Sequence, residues 1–203
     1  NIGLALFAAN TAAWPQINQM VKSGQDTYKA MKYAPFPVVG APSGMALGGG
    51  CESLLHCDAI QAHAESYLGL VEVGVGLIPS WGGCKELLTR WMLNPKRAKG
   101  PMPAISKAFE LISTATVSSS AEEAKSHLFM RHTDDITMNR ESLLFDAKQK
   151  TLELVDGYLA PEDTEVSLPG RTAQLALTLT VKHYVNTVNG PPHDRTVTDT
   201  SDM

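Results

Sequence analysis

The chain has 203 residues, with 17 basic against 21 acidic side chains and a formal charge of −4, room for one good-sized domain with a helical appendage. Hydrophobic residues at 43% can fill a core, while charged residues at 19% fall below the roughly 25% of an average soluble protein, which leaves surface for a partner or further chain. Disorder and strong polyanion binding are excluded by this balance, and no apolar run approaches the roughly 18 residues of a bilayer span.

The opening, Asn1-Ile2-Gly3-Leu4-Ala5-Leu6-Phe7-Ala8-Ala9, has no basic residues before it and no Met. It reads as the inside of a fold rather than a secretory segment, and the chain as a piece of a longer one. In residues 11–32, Ile17, Met20, Val21, Tyr28 and Met31 recur at helical spacing, with Thr11 available as a cap. Pro35-Phe36-Pro37 ends that helix, and Val38-Val39-Gly40-Ala41 predicts a short buried strand closed by the turn Pro42-Ser43-Gly44. Met45-Ala46-Leu47-Gly48-Gly49-Gly50 reads as a loop that opens a short helix over 51–57.

Residues 58–65 alternate through Ala59, Ile60, Ala62 and His63 as a half-buried strand does, and 67–71 either continue it or pair with it. Gly74, Gly76, Pro79, Gly82 and Gly83 form a second turn-rich loop before a helix over 85–93. The segment 94–103, with its prolines and Lys96, Arg97 and Lys99, is the best candidate boundary. Those three cations fit a solvated loop better than a phosphate site.

Beyond the boundary, Ile105, Ala108, Phe109 and Ile112 form a helical stripe, and Ser120-Ala121-Glu122-Glu123 is a capping box. A longer helix is predicted over 139–156, with Leu143, Leu144, Ala147, Leu154 and Val155 inward and Gly157 stopping it. Residues 171–188 fit either a strand, by alternation of Leu175, Leu177, Leu179 and Val181, or a helix, by Ala173, Leu177, Val181, Tyr184 and Val188; the helical neighbourhood favours the helix. The tail after Gly190 reads as frayed.

Two acids stand out. Glu52 lies two residues after the triple glycine, where free helix N–H groups would polarise its carboxylate, and glycines let a ligand approach those amides. Glu72 sits in the apolar run 68–78, and burial raises the pKa of a carboxyl toward neutrality, as an acid/base residue needs. Each also has a plainer explanation: a tight turn followed by a solvated Glu, and a half-exposed strand Glu or a core Glu paired with Lys85.

Other constellations carry little. Cys51, Cys57 and Cys84 are odd in number and lack a C-x-x-C pair, so neither a disulfide framework nor a zinc site is indicated, and reduced thiols point to the cytoplasm. Cys51 and His56 face differently on one helix, which disfavours a thiol dyad. The six histidines show no metal-ligand spacing, and Gly74-Val75-Gly76 lacks the third glycine of a dinucleotide fingerprint because Pro79 stands there. Phe109, Phe129 and Phe145 read as core or interface.

Ala46-Leu47-Gly48-Gly49-Gly50-Cys51-Glu52, followed by Cys57-Asp58, by Gly69-Leu70-Val71-Glu72-Val73-Gly74 and by Ile78-Pro79 with Gly82-Gly83, resembles in order and spacing the crotonase superfamily, the enoyl-CoA hydratases and isomerases. The likeness covers most of the chain and is strongest over 37–88. Residues 71–79, Ile112-Ser113-Thr114 and 136–140 further resemble the hydratase part of bacterial multifunctional 3-hydroxyacyl-CoA dehydrogenases, whose NAD-binding domain is separate.

The resemblance implies an α/β fold, a crotonase-type superhelix of short β-β-α units whose first strands would precede Asn1, with the core over 1–100 and a helical C-terminal region over 101–203. It implies that Glu52 and Glu72 are catalytic, Glu52 as base and Glu72 as acid, that the Gly49 amide is one oxyanion donor, and that Ala46, Leu47, Gly48, Ser80 and Trp81 contact substrate. A second oxyanion amide and much of the adenine contact would come from strands before Asn1, leaving the segment alone inactive. The implied activity is hydration of 2-trans-enoyl-CoA in fatty-acid β-oxidation; 3-enoyl-CoA isomerisation and a non-catalytic acyl-CoA-binding or assembly module are the alternatives. No metal and no cofactor belongs to the segment, the acyl-CoA being substrate. Homo-oligomerisation through the helical end and a covalently linked dehydrogenase domain are implied, with neither nucleic acid nor membrane as partner. Ser80 replaces the usual Gly and Trp81 follows it, which reshapes the acyl pocket. His127 stands at a place often Gly, a packing change at a helix end.

Overall fold

Five short strands divide between two parallel sheets in the computed structural model, which describes residues 2–188; the tail after Gly190 lies outside them. Strands β1 (Val39–Gly40), β3 (Ala59–His63) and β5 (Asp135–Thr137) form one sheet in the order β1-β3-β5, and β2 (Gly44–Leu47) pairs with β4 (Ser66–Gly69) in the other. The chain thus alternates between sheets. Helix α3 (Gly49–Leu55) is the crossover from β2 back to β3, as a parallel pairing requires, and α4 (Gly83–Leu93) follows β4 through a 3-10 turn over Glu72–Val75. This is the repeated β-β-α winding that the sequence resemblance implies.

The change of sheet explains two departures from the sequence reading. Residues 45–47 form a strand rather than a loop, and 66–69 neither extend nor pair with β3 but align with β2, Gly44 against Ser66 through Leu47 against Gly69. The Pro42 carbonyl accepts from the His63 amide at 2.9 Å and the Ser66 hydroxyl at 3.0 Å, so both strand pairs turn together. β3 is also not half-buried. It is covered on both faces, and buried Gln61 is satisfied by donating to the Thr137 hydroxyl at 2.9 Å.

Helix α1 (Ile2–Asn10) contains the opening apolar run, yet its Phe7 is 67% exposed rather than part of a core. Thr11 closes α1 by donating to the Phe7 carbonyl at 2.9 Å; it does not cap α2 (Trp14–Lys32), which starts three residues later with Pro15 in its first turn. The stripe of Ile17, Met20, Val21, Tyr28 and Met31 is the half-buried face of α2, as the periodicity predicts.

One apolar core joins both sheets to α3–α6, where α5 is Met102–Ser113 and α6 is Ala121–Ser126; Leu55, Ile60, Leu68, Leu87, Leu111 and Phe129 are among its largest members. Phe109 is half-buried at a smaller cluster with Ile105 and Leu177, while Phe145 is exposed. The Ser120 half of the capping box of α6 forms, its hydroxyl accepting from the Glu123 amide at 3.1 Å, while the Glu123 carboxylate accepts from the Ser119 amide at 2.6 Å, one residue before the cap. At its far end His127 has an ordinary φ of −88°, whereas Leu128 has φ +58°. The position suited to glycine is therefore one residue beyond the sequence assignment.

Helix α7 (Leu143–Val155) follows a 3-10 turn that Asn139 caps, and this delay rotates its inward face. Leu143 and Ala147 are buried as expected, but Leu144 and Val155 point to solvent, Leu144 at 76% exposure. Gly157, at φ +70°, follows its end. Residues 171–188 are the helix α8, with Ala173, Leu177 and Val181 buried and Leu175 and Leu179 exposed, which settles the choice against a strand. No helix among the described residues is long and apolar enough to cross a membrane.

Candidate active site

Gly48, at φ +55° and ψ −125°, makes the hinge between β2 and α3, a conformation that disfavours any β-carbon. Its amide donates to the Gly69 carbonyl and its carbonyl accepts from the Glu52 amide, both at 2.9 Å, so the hinge sets the first turn of α3 against the end of β4. Glu52 consequently points inward and is 2% exposed. Its Oε1 accepts from the amides of Trp81 and Gly83, each at 2.9 Å. The donors lie just before α4 and at its first residue, not at the start of α3 as the sequence suggests. Burial raises the Glu52 pKa, and the Gly83 and Trp81 amides pull it back by favouring the charged form.

Glu72 reaches the same hinge from the other side. A β-carbon built on Gly48 would lie 3.2 Å from Glu72 Oε1. Glu72 begins the 3-10 turn rather than lying in a strand, and its Oε2 is buried without a hydrogen-bond partner. Burial, reinforced by the charge of Glu52, pushes its pKa up to about 7. Lys85 does not neutralise it: that ammonium lies 3.7 Å from Asp163 and 3.9 Å from Glu86.

Helix α2 braces the opposite face of α3. Tyr28 donates its hydroxyl to the Gly49 carbonyl at 2.8 Å and meets the Trp81 ring edge-on at 5.5 Å between centroids. The Trp81 ring is clamped between two glycines, because a β-carbon would stand 2.3 Å from it at Gly24 and 2.9 Å at Gly49. Gln25 donates to the Ser80 carbonyl at 2.8 Å. His56 Nδ1 donates to the Glu52 main-chain carbonyl at 2.7 Å, and the Lys32–Glu86 ion pair, at 2.7 Å, ties α2 to α4 beside it.

Glu52, Glu72, Gly48, Gly49 and Trp81 thus converge, while Ala46 and Leu47 lead into the hinge as half-buried residues of β2. Ser80 is exposed and its main-chain carbonyl accepts from Gln25. Sequence reasoning missed Gly24, Gln25 and Lys32 and took Tyr28 for packing; the available signal was that Gly24, Tyr28 and Lys32 recur every four residues and so share one helical face. The thiols are poor nucleophiles here: burial pushes Cys51 and Cys84 up to about 12 and Cys57 to about 11. Among the described residues no three His, Cys, Asp or Glu side chains cluster as metal ligands. Lys96 and Lys99 are exposed, and Arg97 closes its own loop by donating to the Met92 carbonyl at 2.7 Å.

Residues 7–99 match the protein family described as enoyl-CoA hydratase/isomerase. The chain is 42% identical over 180 residues to a probable 3-hydroxyacyl-CoA dehydrogenase of Bacillus subtilis, covering 88% of this chain and 22% of that one. It is 33% identical over 153 residues to a putative fatty acid oxidation complex trifunctional enzyme of Rickettsia felis, covering 75% of this chain and 20% of that one. It therefore spans about a fifth of the length of these relatives. A solved enoyl-CoA hydratase/isomerase from Cupriavidus metallidurans has the same fold, with a TM-score of 0.61 at 19% identity over 100% of this chain and 64% of that one.

Proposed function

The chain belongs to the enoyl-CoA hydratase/isomerase superfamily, and from that premise we propose that it is the hydratase portion of a longer chain, adding water to 2-trans-enoyl-CoA in fatty-acid β-oxidation beside a linked 3-hydroxyacyl-CoA dehydrogenase. The observation that carries this is the pair of carboxylates, buried Glu52 and half-buried Glu72, brought to one glycine hinge in unequal settings. Glu52, held by two amides, is the base. Glu72, protonated near neutrality, is the acid.

In the reaction Glu52 takes a proton from water as its oxygen bonds to Cβ of the enoyl group. The π electrons pass to the thioester oxygen, where the Gly49 amide at the start of α3 donates to the enolate. Glu72 then gives its proton to Cα, and the proton on Glu52 restores the pair. Ala46, Leu47, Gly48, Ser80 and Trp81 line the reacting end of the substrate. The segment needs no cofactor or metal of its own for this chemistry. The three unpaired thiols favour the cytoplasm, and the exposed apolar side chains of the helical end favour a homo-oligomer.

Full-length protein given crotonyl-CoA should lose about a hundredfold or more of its turnover on Glu52→Gln or Glu72→Gln. Undiminished turnover in either variant removes that residue from the chemistry. Faster conversion of a 3-enoyl-CoA in a parallel assay identifies an isomerase, and CoA-thioester binding without turnover a binding module.

A further inference from the structure

His56 ends α3 as a buried residue and takes no part in the proton transfers. Its amide, which would close the next helical bond onto the Glu52 carbonyl, donates to the Ser53 carbonyl at 3.1 Å instead. The side chain takes the vacated bond, with Nδ1 lying 2.7 Å from the Glu52 carbonyl. A carbonyl only accepts, so the imidazole proton is on Nδ1. The opposite edge of the ring faces Gly82, where a β-carbon would stand 2.8 Å from Nε2 and 3.0 Å from Cε1. Gly82, at φ +106°, lies between Trp81 and Gly83, whose amides hold Glu52 Oε1. One ring therefore touches both the main chain that carries the carboxylate and the glycine between its two donors.

The surroundings of the ring keep it uncharged. From α2, the Tyr28 ring stands 5.4 Å away, and Lys32 engages Glu86 at 2.7 Å. From α4, Glu86 Oε1 lies 3.9 Å from Nε2, beyond hydrogen-bond distance, and Lys85 lies 3.9 Å from the same oxygen. Burial holds the imidazole below its ordinary pKa, and the charges of Lys32 and Lys85 add to this against the Glu52 bond and the Glu86 charge. A second proton, on Nε2, would find Gly82 in place of an acceptor, and a ring that reached for Glu86 would leave the Glu52 carbonyl.

We infer that His56 is a positioning residue for Glu52: with its proton on Nδ1 it fixes α3 against the Gly82 turn and so sets the carboxylate between the Trp81 and Gly83 amides. The inference rests on the hydratase proposal for the role of Glu52 as base, and on the ring's two contacts for its geometry. A histidine that only filled space could be replaced by any side chain of similar bulk. One that positions needs a donor at Nδ1.

The test compares His56→Leu, which keeps bulk and removes the donor, with His56→Asn, which keeps a donor at the same bond from the main chain. In full-length protein whose melting shows it folded, His56→Leu should lower kcat for crotonyl-CoA at least about tenfold with KM within about twofold. His56→Asn should recover all but about threefold. Without the ring's hold, Glu52 loses the amides that favour its charged form. The acid limb of kcat/KM should therefore move up by about one pH unit in His56→Leu and stay in place in His56→Asn. Equal losses in the two variants, or an unmoved acid limb in His56→Leu, overturn the inference. The wild-type protein gives a measurement that depends on no variant: nitrogen NMR should show the His56 imidazole protonated on Nδ1 alone at neutral pH, and a proton on Nε2 overturns the inference. If no thioester is hydrated, the hydratase proposal fails on its own, and the carboxyl-carbon NMR titration of Glu52 still decides. A midpoint raised by His56→Leu and not by His56→Asn upholds the positioning role, and one alike in wild type and both variants rejects it.

Discussion

The Tyr28 hydroxyl donates to the Gly49 carbonyl at 2.8 Å, and that bond fastens α2, a helix without a fully buried residue, to the first residue of α3. The same ring lies 5.4 Å from His56 and 5.5 Å from Trp81, both of which bond to Glu52. Tyr28→Phe keeps the ring and deletes the bond. A net hydrogen bond is worth about 1 kcal/mol, so kcat should fall about fivefold with KM little changed. Steady-state kinetics check this, and a loss confined to KM counts against a role in positioning the hinge.

Gly83 has no room for a side chain. A β-carbon there would stand 2.8 Å from Glu52 Cγ and 2.9 Å from its Oε1. Gly83→Ala should displace the carboxylate, lowering turnover at least about tenfold and stability by about 1–3 kcal/mol. Denaturant titration and kinetics on one preparation measure both, and an unaltered rate would contradict the placement of Glu52.

Glu72 titrates near 7 in the folded chain against an ordinary value of 4.5. The fold therefore favours its protonated form. The stability this contributes is fully present below 4.5 and is lost as pH rises through about 7. Wild-type Tm should decline between those limits relative to Glu72→Gln, which cannot titrate, and hydration should slow above the upper one as the acid loses its proton. Parallel melting curves for the two proteins would show that Glu72 ionises normally.

Lys32 contacts both oxygens of Glu86, at 2.7 and 2.8 Å, with the side chains only 15% and 5% exposed. Removing Lys32 leaves the buried Glu86 carboxylate with only Lys85 and His56, each at 3.9 Å, so Lys32→Met should cost up to about 3–5 kcal/mol. Replacing both, with Glu86→Leu added, should recover most of that loss, since an apolar pair avoids desolvating either ion. A double-mutant cycle measures it. Additive losses would mean the two side chains act independently.

Ala115 and Leu128 both occupy left-handed backbone, at φ +48° and +58°. Substituting glycine relieves roughly 1–2 kcal/mol of strain but restores freedom to the unfolded chain. For half-buried Ala115 the net gain should be below about 1 kcal/mol, visible as a small rise in Tm. For Leu128, buried in the core, the lost apolar contacts cost about 2–5 kcal/mol and reverse the sign.

Much of this architecture is written locally. The helical stripes of α2, α5 and α8, the capping box before α6, the hinge glycines and the spacing of Glu52 and Glu72 are all read within short windows, because periodicity and left-handed turns are properties of neighbouring residues. Strand β5 and the pairing of β4 with β2 were not read, since a three- or four-residue strand has no pattern of its own and gains its identity from a distant partner. The amides that hold Glu52 were assigned to the wrong loop for the same reason: they lie 29 and 31 positions away in the chain. Spacing could nominate two acids. Their inequality, one tethered by amides and the other pushed toward neutrality, and the bracing by Tyr28, Gln25 and Lys32, came from packing α2, the Trp81 loop and the hinge against one another, because desolvation and long-range hydrogen bonding exist only once those segments meet.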